Sequence, residues 1–136
     1  MTNLPDWAVD DSAIAHPLRL LRRIPPFQVN AGVIDTSTFL EKEDGRGLSV
    51  TVWRAPSDLD DIRRLEPTMG VVCVPAQLLR TMGVQIVPVP LVGNLNHCEI
   101  FPRLTQSQRR ALKAEAAWVH YPEWVAEAHR GQVEPF

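Results

Sequence analysis

The densest group of residues able to do chemistry lies between Asn94 and Glu99. His97 and Glu99 stand two positions apart in a segment with strand character, so period-two alternation places both on one face, opposite Cys98. A histidine beside a carboxylate can serve as a general base with its orienting partner, or as two metal ligands. The alternative is a histidine and a glutamate exposed to water at a sheet edge, with the neighbouring asparagines serving a turn. No third ligand or nucleophile stands at a diagnostic spacing, so the sequence predicts no metal site and no cofactor.

A second group combines arginines near the start of the chain with hydroxyl residues on the segments that follow. Its members are His16, Arg19, Arg22, Arg23, Thr36, Ser37, Thr38 and Ser49. Arginines and hydroxyls in this order can hold a phosphate or pyrophosphate. The order resembles the broad plan of ADP-ribosyl-transferring enzymes, and that resemblance implies that Glu99 acts on the ribose. The ordinary alternative is that these arginines pair with aspartates nearby.

These two groups define an enzyme hypothesis, a small transferase or hydrolase acting on a nucleotide-like substrate. Its catalytic candidates are Arg22, Arg23, Ser37, Ser49, His97 and Glu99. The hypothesis requires an arginine, a hydroxyl and one of the last two residues to meet in one cleft. The Walker phosphate loop, the dinucleotide glycine fingerprint, the HExxH zinc motif and the GxSxG elbow are all absent from the sequence. The sequence therefore favours a protein that is not an enzyme.

An aromatic run near the C-terminal end offers a different kind of site. Trp118, Tyr121 and Trp124 lie close together on either side of Pro122. Tryptophan and tyrosine are frequent anchors of protein interfaces, so these three residues are the predicted binding patch. The alternative is that they close the C-terminal helix onto the sheet.

Composition and charge narrow the function classes. A hydrophobic content of 45% with 22% charged residues is typical of a globular domain. The net charge of −2 argues against a nucleic-acid binder, which usually carries a basic excess. Nothing at the N-terminus resembles a signal peptide, and no apolar run approaches the roughly 20 residues of a membrane helix. With Cys73 and Cys98 expected to be buried free thiols, we expect a cytoplasmic protein without membrane contact.

Strand patterns dominate the middle of the chain. Leu48 to Trp53 alternates with period two, which predicts a strand with one buried and one half-polar face. Phe27 to Ile34 and Val71 to Val74 are further strands. Val84 to Val92 is extended but carries two prolines, which places it at an edge, and a hairpin joins it to the strand from His97 to Phe101.

Helices are predicted where capping residues and charge order agree. Ser57 caps a helix over about 58–65, whose first turn is acidic and whose end is basic. Thr105-Gln106-Ser107-Gln108 fits a capping box and opens the longest helix, near 105–120. Asp10-Asp11-Ser12 caps a further short helix.

Together these elements predict one α+β domain over residues 1–136, with flexible ends at 1–10 and 131–136. A mixed or mainly antiparallel sheet of four to six strands carries two or three helices on one face. The runs Leu-Arg-Arg-Ile-Pro-Pro (21–26), Gly-Leu-Ser-Val (47–50) and Asn-His-Cys-Glu-Ile (96–100) resemble small bacterial proteins of unknown function, which implies a bacterial source. We expect a small non-catalytic binding or accessory protein with a protein partner or a homo-oligomeric state. A more specific version of this expectation is an immunity or adaptor role in a toxin or defence system.

Overall fold

Six strands form one antiparallel sheet in the computed structural model, which describes residues 6–25, 29–30, 33–34, 36–40 and 47–120. The elements in chain order are β1 (Arg19–Ile24), β2 (Val29–Asn30), β3 (Val33–Ile34), a 3-10 helix (Thr36–Phe39), β4 (Leu48–Trp53), α1 (Pro56–Leu65), β5 (Gly70–Pro75), α2 (Ala76–Thr81), β6 (Gln85–Pro88), β7 (His97–Phe101), α3 (Gln106–Glu115) and β8 (Ala117–His120). The sheet order is β6-β7-β4-β1-β5-β8, and β2 pairs with β3 apart from it. The predicted α+β fold with a mainly antiparallel sheet is confirmed.

Strand alternation divides the apolar core between the two faces of the sheet. The larger core contains Leu20, Val52 and Ile100 from the strands. Leu79 of α2 and Leu112 of α3 cover it, so two of the three described helices lie on one face, as predicted. None of the described helices is long and apolar enough to cross a membrane.

The opposite face carries a smaller core beneath α1. Leu21, Trp53 and Cys73 pack there with Ile62 of α1. Because this face is covered as well, β4 has no half-polar exposed face: Thr51 is only 3% exposed and Trp53 only 4%. The predicted division of β4 into an apolar and a half-polar face is confirmed, but the half-polar face is covered too, because α1 packs on that side.

The predicted capping box is confirmed, but the helix that it opens is shorter than expected. The amide nitrogen of Gln108 donates to Thr105 Oγ1 at 3.1 Å, and the Thr105 amide donates to Gln108 Oε1 at 2.9 Å. The helix ends at Glu115, and β8 follows. Trp118 pairs with Val72 of β5, so residues 117–120 are stabilised more by completing the sheet than by extending the helix.

The first strand of the sheet is β1, not the predicted strand over 27–34. β1 pairs with both β4 and β5 and buries Leu20 and Leu21, which gives it a central place in the sheet. The described residues of the predicted strand form the separate pair of β2 and β3. Pro25 directly follows Ile24, the last residue of this central strand.

The N-terminal segment covers the β6 edge of the sheet instead of forming the predicted short helix. The Asp11 amide donates to the Ile86 carbonyl at 2.9 Å, and Asp10 Oδ1 accepts from the Ile86 amide at 2.7 Å. Arg80 holds this segment, since its Nη1 lies 2.8 Å from Asp10 Oδ1 and its Nε donates to the Ile14 carbonyl at 2.9 Å. Among the described strands β6 pairs with β7 alone, so its predicted edge position is confirmed, and the N-terminal segment shields that edge.

Candidate interaction surface

Two consecutive tight turns connect β6 to β7. Leu91 and Asn94 exchange both backbone hydrogen bonds at 3.0 Å, which closes the first turn with Val92 and Gly93 at its corners. Gly93 has a φ of 80°, a conformation that favours glycine. The second turn follows at once, because the His97 amide donates to the Asn94 carbonyl at 3.3 Å. The hairpin predicted between these strands is confirmed.

Asn96 ties the second turn to the start of α1 through a buried carboxylate. Asn96 Nδ2 donates to Asp58 Oδ1 at 2.7 Å. Asp58 Oδ2 accepts from the amides of Arg54 and Ala55 at 2.8 and 2.9 Å, and the residue is 6% exposed. Ala55 is the N-cap residue, so the predicted cap at Ser57 is wrong. Ala55 has no polar side chain, and the helix start is held instead by the Asp58 carboxylate, which accepts from the Ala55 amide.

Asn94 and His97 fix the same turns to the sheet. Asn94 Nδ2 donates to Thr51 Oγ1 at 3.0 Å. The Val89 amide donates to the His97 carbonyl at 2.9 Å, and His97 Nδ1 lies 2.8 Å from the Val89 carbonyl oxygen. The polar side chains of this segment therefore point inward and hold its backbone. The asparagines serve the turn, as one of the two alternatives predicted.

Apolar side chains cover the outer side of the two turns. They are Pro90, Leu91, Val92 and Leu95, joined by Leu65 at the end of α1, and we call these five residues the apolar turn surface. Val92 is 100% exposed, Leu95 76% and Leu65 53%. A methyl group on Gly93 would lie 3.7 Å from Leu65 Cδ2, so the end of α1 adjoins the first turn. Four of the five side chains therefore come from residues 90–95, and the fifth borders the first turn.

The apolar character of these turns is not required by the fold. Exposed turn corners are satisfied by polar residues, which also hydrogen-bond their own backbone. Contiguous exposed apolar patches commonly mark interaction sites. The sequence does carry one signal for this surface: no charged residue occurs between Arg80 and Glu99. The buried strand β6 explains part of this uncharged stretch, but it does not explain the turns.

Arg22 lies on the face of the larger core, where it clamps two backbone segments. Its Nε donates to the Thr38 carbonyl and its Nη1 to the Ser49 carbonyl, both at 2.8 Å. Burial, together with the charge of Arg23, lowers the pKa of the Arg22 guanidinium to about 10. Ser37, another candidate from the sequence, is exposed in the 3-10 helix. Arg22 therefore joins the 3-10 helix to β4 through main-chain acceptors rather than hydroxyl groups.

Glu99 lies on the opposite face of the sheet from Arg22. It is 0% exposed, and its Oε1 accepts from the Gly47 amide at 2.7 Å. Ser49 pairs with Glu99 across β4 and β7, and strand alternation places Arg23 on this face too. Arg23 Nη1, however, contacts Glu66 Oε1 at 3.0 Å.

His97 and Glu99 share one face of β7, as predicted, but both are buried. Their strand lies between β6 and β4, so the alternative of an exposed pair at a sheet edge is wrong. Cys73 and Cys98 are buried free thiols, as predicted. Within the described part of the chain, no three histidine, cysteine or acidic residues are grouped as metal ligands would be.

The predicted aromatic patch falls only in part on described residues. Trp118 is 5% exposed and packs into the larger core. Tyr121 and Trp124 lie outside the described residues. The binding role of these three aromatic residues stays a prediction.

Comparison of the chain with protein-family models, curated proteins and solved structures finds no match.

Proposed function

We propose that this chain is a small non-catalytic binding or accessory protein that contacts a protein partner through the apolar turn surface. The observation that carries the proposal is the full exposure of Val92 beside a largely exposed Leu95. Burying a valine or leucine side chain contributes about 1.5–3 kcal/mol, so covering the five-residue surface offers on the order of 5 kcal/mol. That gain is enough to anchor an interface but contributes nothing to the fold of the isolated chain.

The rigidity of the turns favours binding as well. Asn94 and Asn96 hold the backbone on either side of Leu95 through bonds to Thr51 and Asp58. A loop that is already ordered loses little conformational entropy when it docks, so more of the apolar gain remains as affinity. The polar group from Asn94 to His97 thus serves the proposed function by positioning its neighbours.

A capture experiment with matched variants tests the proposal. The intact protein and two variants, Val92→Asp and Val9→Asp, are immobilised and exposed to a lysate of the native host. Val9 is 70% exposed but lies outside the apolar turn surface, so its variant controls for a new surface charge. We expect a protein retained by the wild type and by Val9→Asp but lost with Val92→Asp. Equal retention by all three would contradict a role for this surface.

More specifically, we propose an immunity or adaptor role in a toxin or defence system. Genes beside the one that encodes this chain would identify the system. Neighbours encoding a toxin, a nuclease or a phage-defence enzyme would favour that role, and the neighbour's product would then be the first candidate for direct binding.

The enzyme hypothesis has one geometric observation in its favour. Arg23 and Ser49 share one face on neighbouring strands, where an arginine and a hydroxyl group could hold a phosphate, and Glu99 lies on the same face but is buried. A thermal-shift screen against nucleotides, dinucleotides and divalent metals tests it, because a ligand of the native state raises the melting temperature. Arg23→Ala should abolish such a shift and leave the unliganded melting temperature nearly unchanged, since the exposed pair with Glu66 contributes about 1 kcal/mol or less. No shift from any compound would remove this hypothesis.

A further inference from the structure

We propose that residues 6–11 form a strap that closes the outer edge of β6, and that release of the strap leaves this edge free to pair with β6 of a second copy of the chain. The closed strap keeps two copies from associating edge to edge. The proposal does not depend on the proposed binding function, because the strap and the apolar turn surface share no residue.

Ile86 is the point where the strap meets the sheet. The Ile86 amide donates to Asp10 Oδ1 at 2.7 Å, and the Ile86 carbonyl accepts from the Asp11 amide at 2.9 Å. Both groups of Ile86 therefore point away from β7, toward the position that a further strand would take. The strap supplies one acceptor and one donor there, which is what a neighbouring strand supplies at a hydrogen-bonded pair.

The positions on either side of Ile86 are restricted as well. Just before β6 begins, the Val84 carbonyl accepts from Arg80 Nη1 at 3.4 Å. Pro88, two residues after Ile86 and so on the same outer side, has no amide hydrogen. Each of three successive outward positions has thus lost at least one group to the strap, to Arg80 or to proline. An open strand edge is a template for another chain, and this edge is guarded against that use.

The strap can open while the sheet stays folded, because polar contacts hold it. None of residues 6–11 is buried, and the largest of their side chains, Trp7, meets one ring edge-on and is still 51% exposed. Arg80 is the latch, since its Nη1 lies 2.8 Å from Asp10 Oδ1. Ile14, by contrast, is 0% exposed in the larger core and anchors the chain beyond the strap. A segment with few buried contacts opens locally at a low free energy.

A second copy fits the released edge because β6 is complementary to itself at Ile86. Two residues that form a hydrogen-bonded pair in an antiparallel sheet exchange both of their backbone hydrogen bonds. Two copies related by a two-fold axis at Ile86 therefore replace the bonds of Asp10 and Asp11 one for one. Pro88 shortens the paired stretch, so we expect the dimer to form at high protein concentration only.

Hydrogen exchange of the Ile86 amide reports the state of the strap, and sedimentation reports association. Asp10→Ala removes the acceptor of this amide and the partner of Arg80, whereas the milder variant Asp10→Asn keeps an oxygen for the amide. Asp6→Ala is the matched control, since Asp6 is an exposed aspartate of the same strap. The amides of central strand β1 and melting curves report folding separately, and Asp10→Asn carries the comparison if the alanine variant does not fold.

A strap that opens by itself predicts that the Ile86 amide of the wild type exchanges at least about tenfold faster than the amides of β1. In dilute Asp10→Ala it should exchange about 10- to 100-fold faster still, because a hydrogen bond to a charged group is lost while the sheet stays folded. At higher concentrations, where the wild type shows no such species, this variant should sediment as a dimer with the Ile86 amide protected again. Asp10→Asn should lie between the two proteins, and Asp6→Ala should match the wild type.

Any of four outcomes would overturn the proposal. Exchange of the Ile86 amide only as slowly as the amides of β1 would make the segment part of the global fold rather than a strap. An Asp10→Ala protein that stays monomeric with a fast Ile86 amide would show that the open edge does not pair with itself. A dimer that leaves this amide unprotected would place the contact elsewhere. An amide that is as slow in dilute Asp10→Ala as in the wild type would show that another segment covers the edge.

Discussion

Replacing Asp58 by alanine tests the bond network that positions the apolar turn surface. The carboxylate accepts three hydrogen bonds, two from the amides of Arg54 and Ala55 and one from Asn96 Nδ2. The residue is 6% exposed, so water has little access to the groups that the substitution would leave unpaired. One truncation therefore affects the start of α1 and the second turn together.

The expected loss follows from these three bonds. Hydrogen bonds to a charged group contribute about 1.5–3 kcal/mol each. The variant also avoids the cost of burying a carboxylate, which offsets part of the loss. The net loss should then be about 3–5 kcal/mol, because three largely buried N–H donors lose their acceptor. For a domain of this size that corresponds to a melting temperature lower by about 10–15 °C.

Urea denaturation and hydrogen exchange measure the two consequences. Asp58→Ala should lower the free energy of unfolding and speed amide exchange in the turns beside Asn96. Asp58→Asn keeps one oxygen for the backbone amides, and a flipped Asn96 side chain can accept from its new amide, so we expect a loss of only about 1 kcal/mol. Asp60, exposed on the same helix, is the matched control, and Asp60→Ala should stay within about 0.5 kcal/mol of the wild type. Equal losses for the alanine variants at 58 and 60 would refute the argument.

Three further predictions concern a close backbone approach, a buried thiol and a partly buried histidine. Gly47→Ala would place a methyl group 2.6 Å from a carbonyl oxygen of β7. It should cost about 3 kcal/mol or more in urea denaturation. Gly83→Ala, strained only by its φ of 74°, should cost about 1–2 kcal/mol, and equal losses would contradict the close approach. Burial raises the pKa of the Cys98 thiol to about 11, so iodoacetamide at pH 8 should modify it at least about 100-fold more slowly than in the denatured chain; rapid modification of the native protein would contradict its burial. Burial, together with Arg63, lowers the pKa of His120, so its contribution to stability is complete above the unfolded pKa of about 6.5 and is lost as pH falls below it. The melting temperature of His120→Gln should fall less than that of the wild type between pH 7.5 and 5.5, and identical profiles would exclude this contribution.

The parts of the fold that depend on local pattern could be predicted from the sequence. The period-two alternation from Leu48 to Trp53 matches β4, and the capping box at Thr105 opens α3. The two prolines within the predicted strand from Val84 to Val92 correctly indicate an edge strand, because proline cannot donate a ladder hydrogen bond; Pro88 is the last residue of β6. In each case the physical cause lies within a few residues of the pattern.

The errors occur where a distant partner decides the local structure. Residues 117–120 extend the helical pattern of α3, yet pairing with β5 makes them a strand. The amide of Gly47, just before β4, donates to the buried carboxylate of Glu99, more than fifty residues later in the chain. Neither pairing has a local signature, so sequence pattern alone could not reveal them.

The candidate site was missed for a different reason. Of the six catalytic candidates indicated by the sequence, His97, Glu99 and Arg22 are buried, whereas Ser37 is exposed. Buried polar residues are conspicuous in a sequence because folding must satisfy each of their hydrogen bonds. Exposed apolar residues such as Val92 are inconspicuous there, since the same letter in a strand would be ordinary core. The informative feature is an apolar residue at a turn corner, where the polar neighbours hold the backbone and leave the apolar side chain outside.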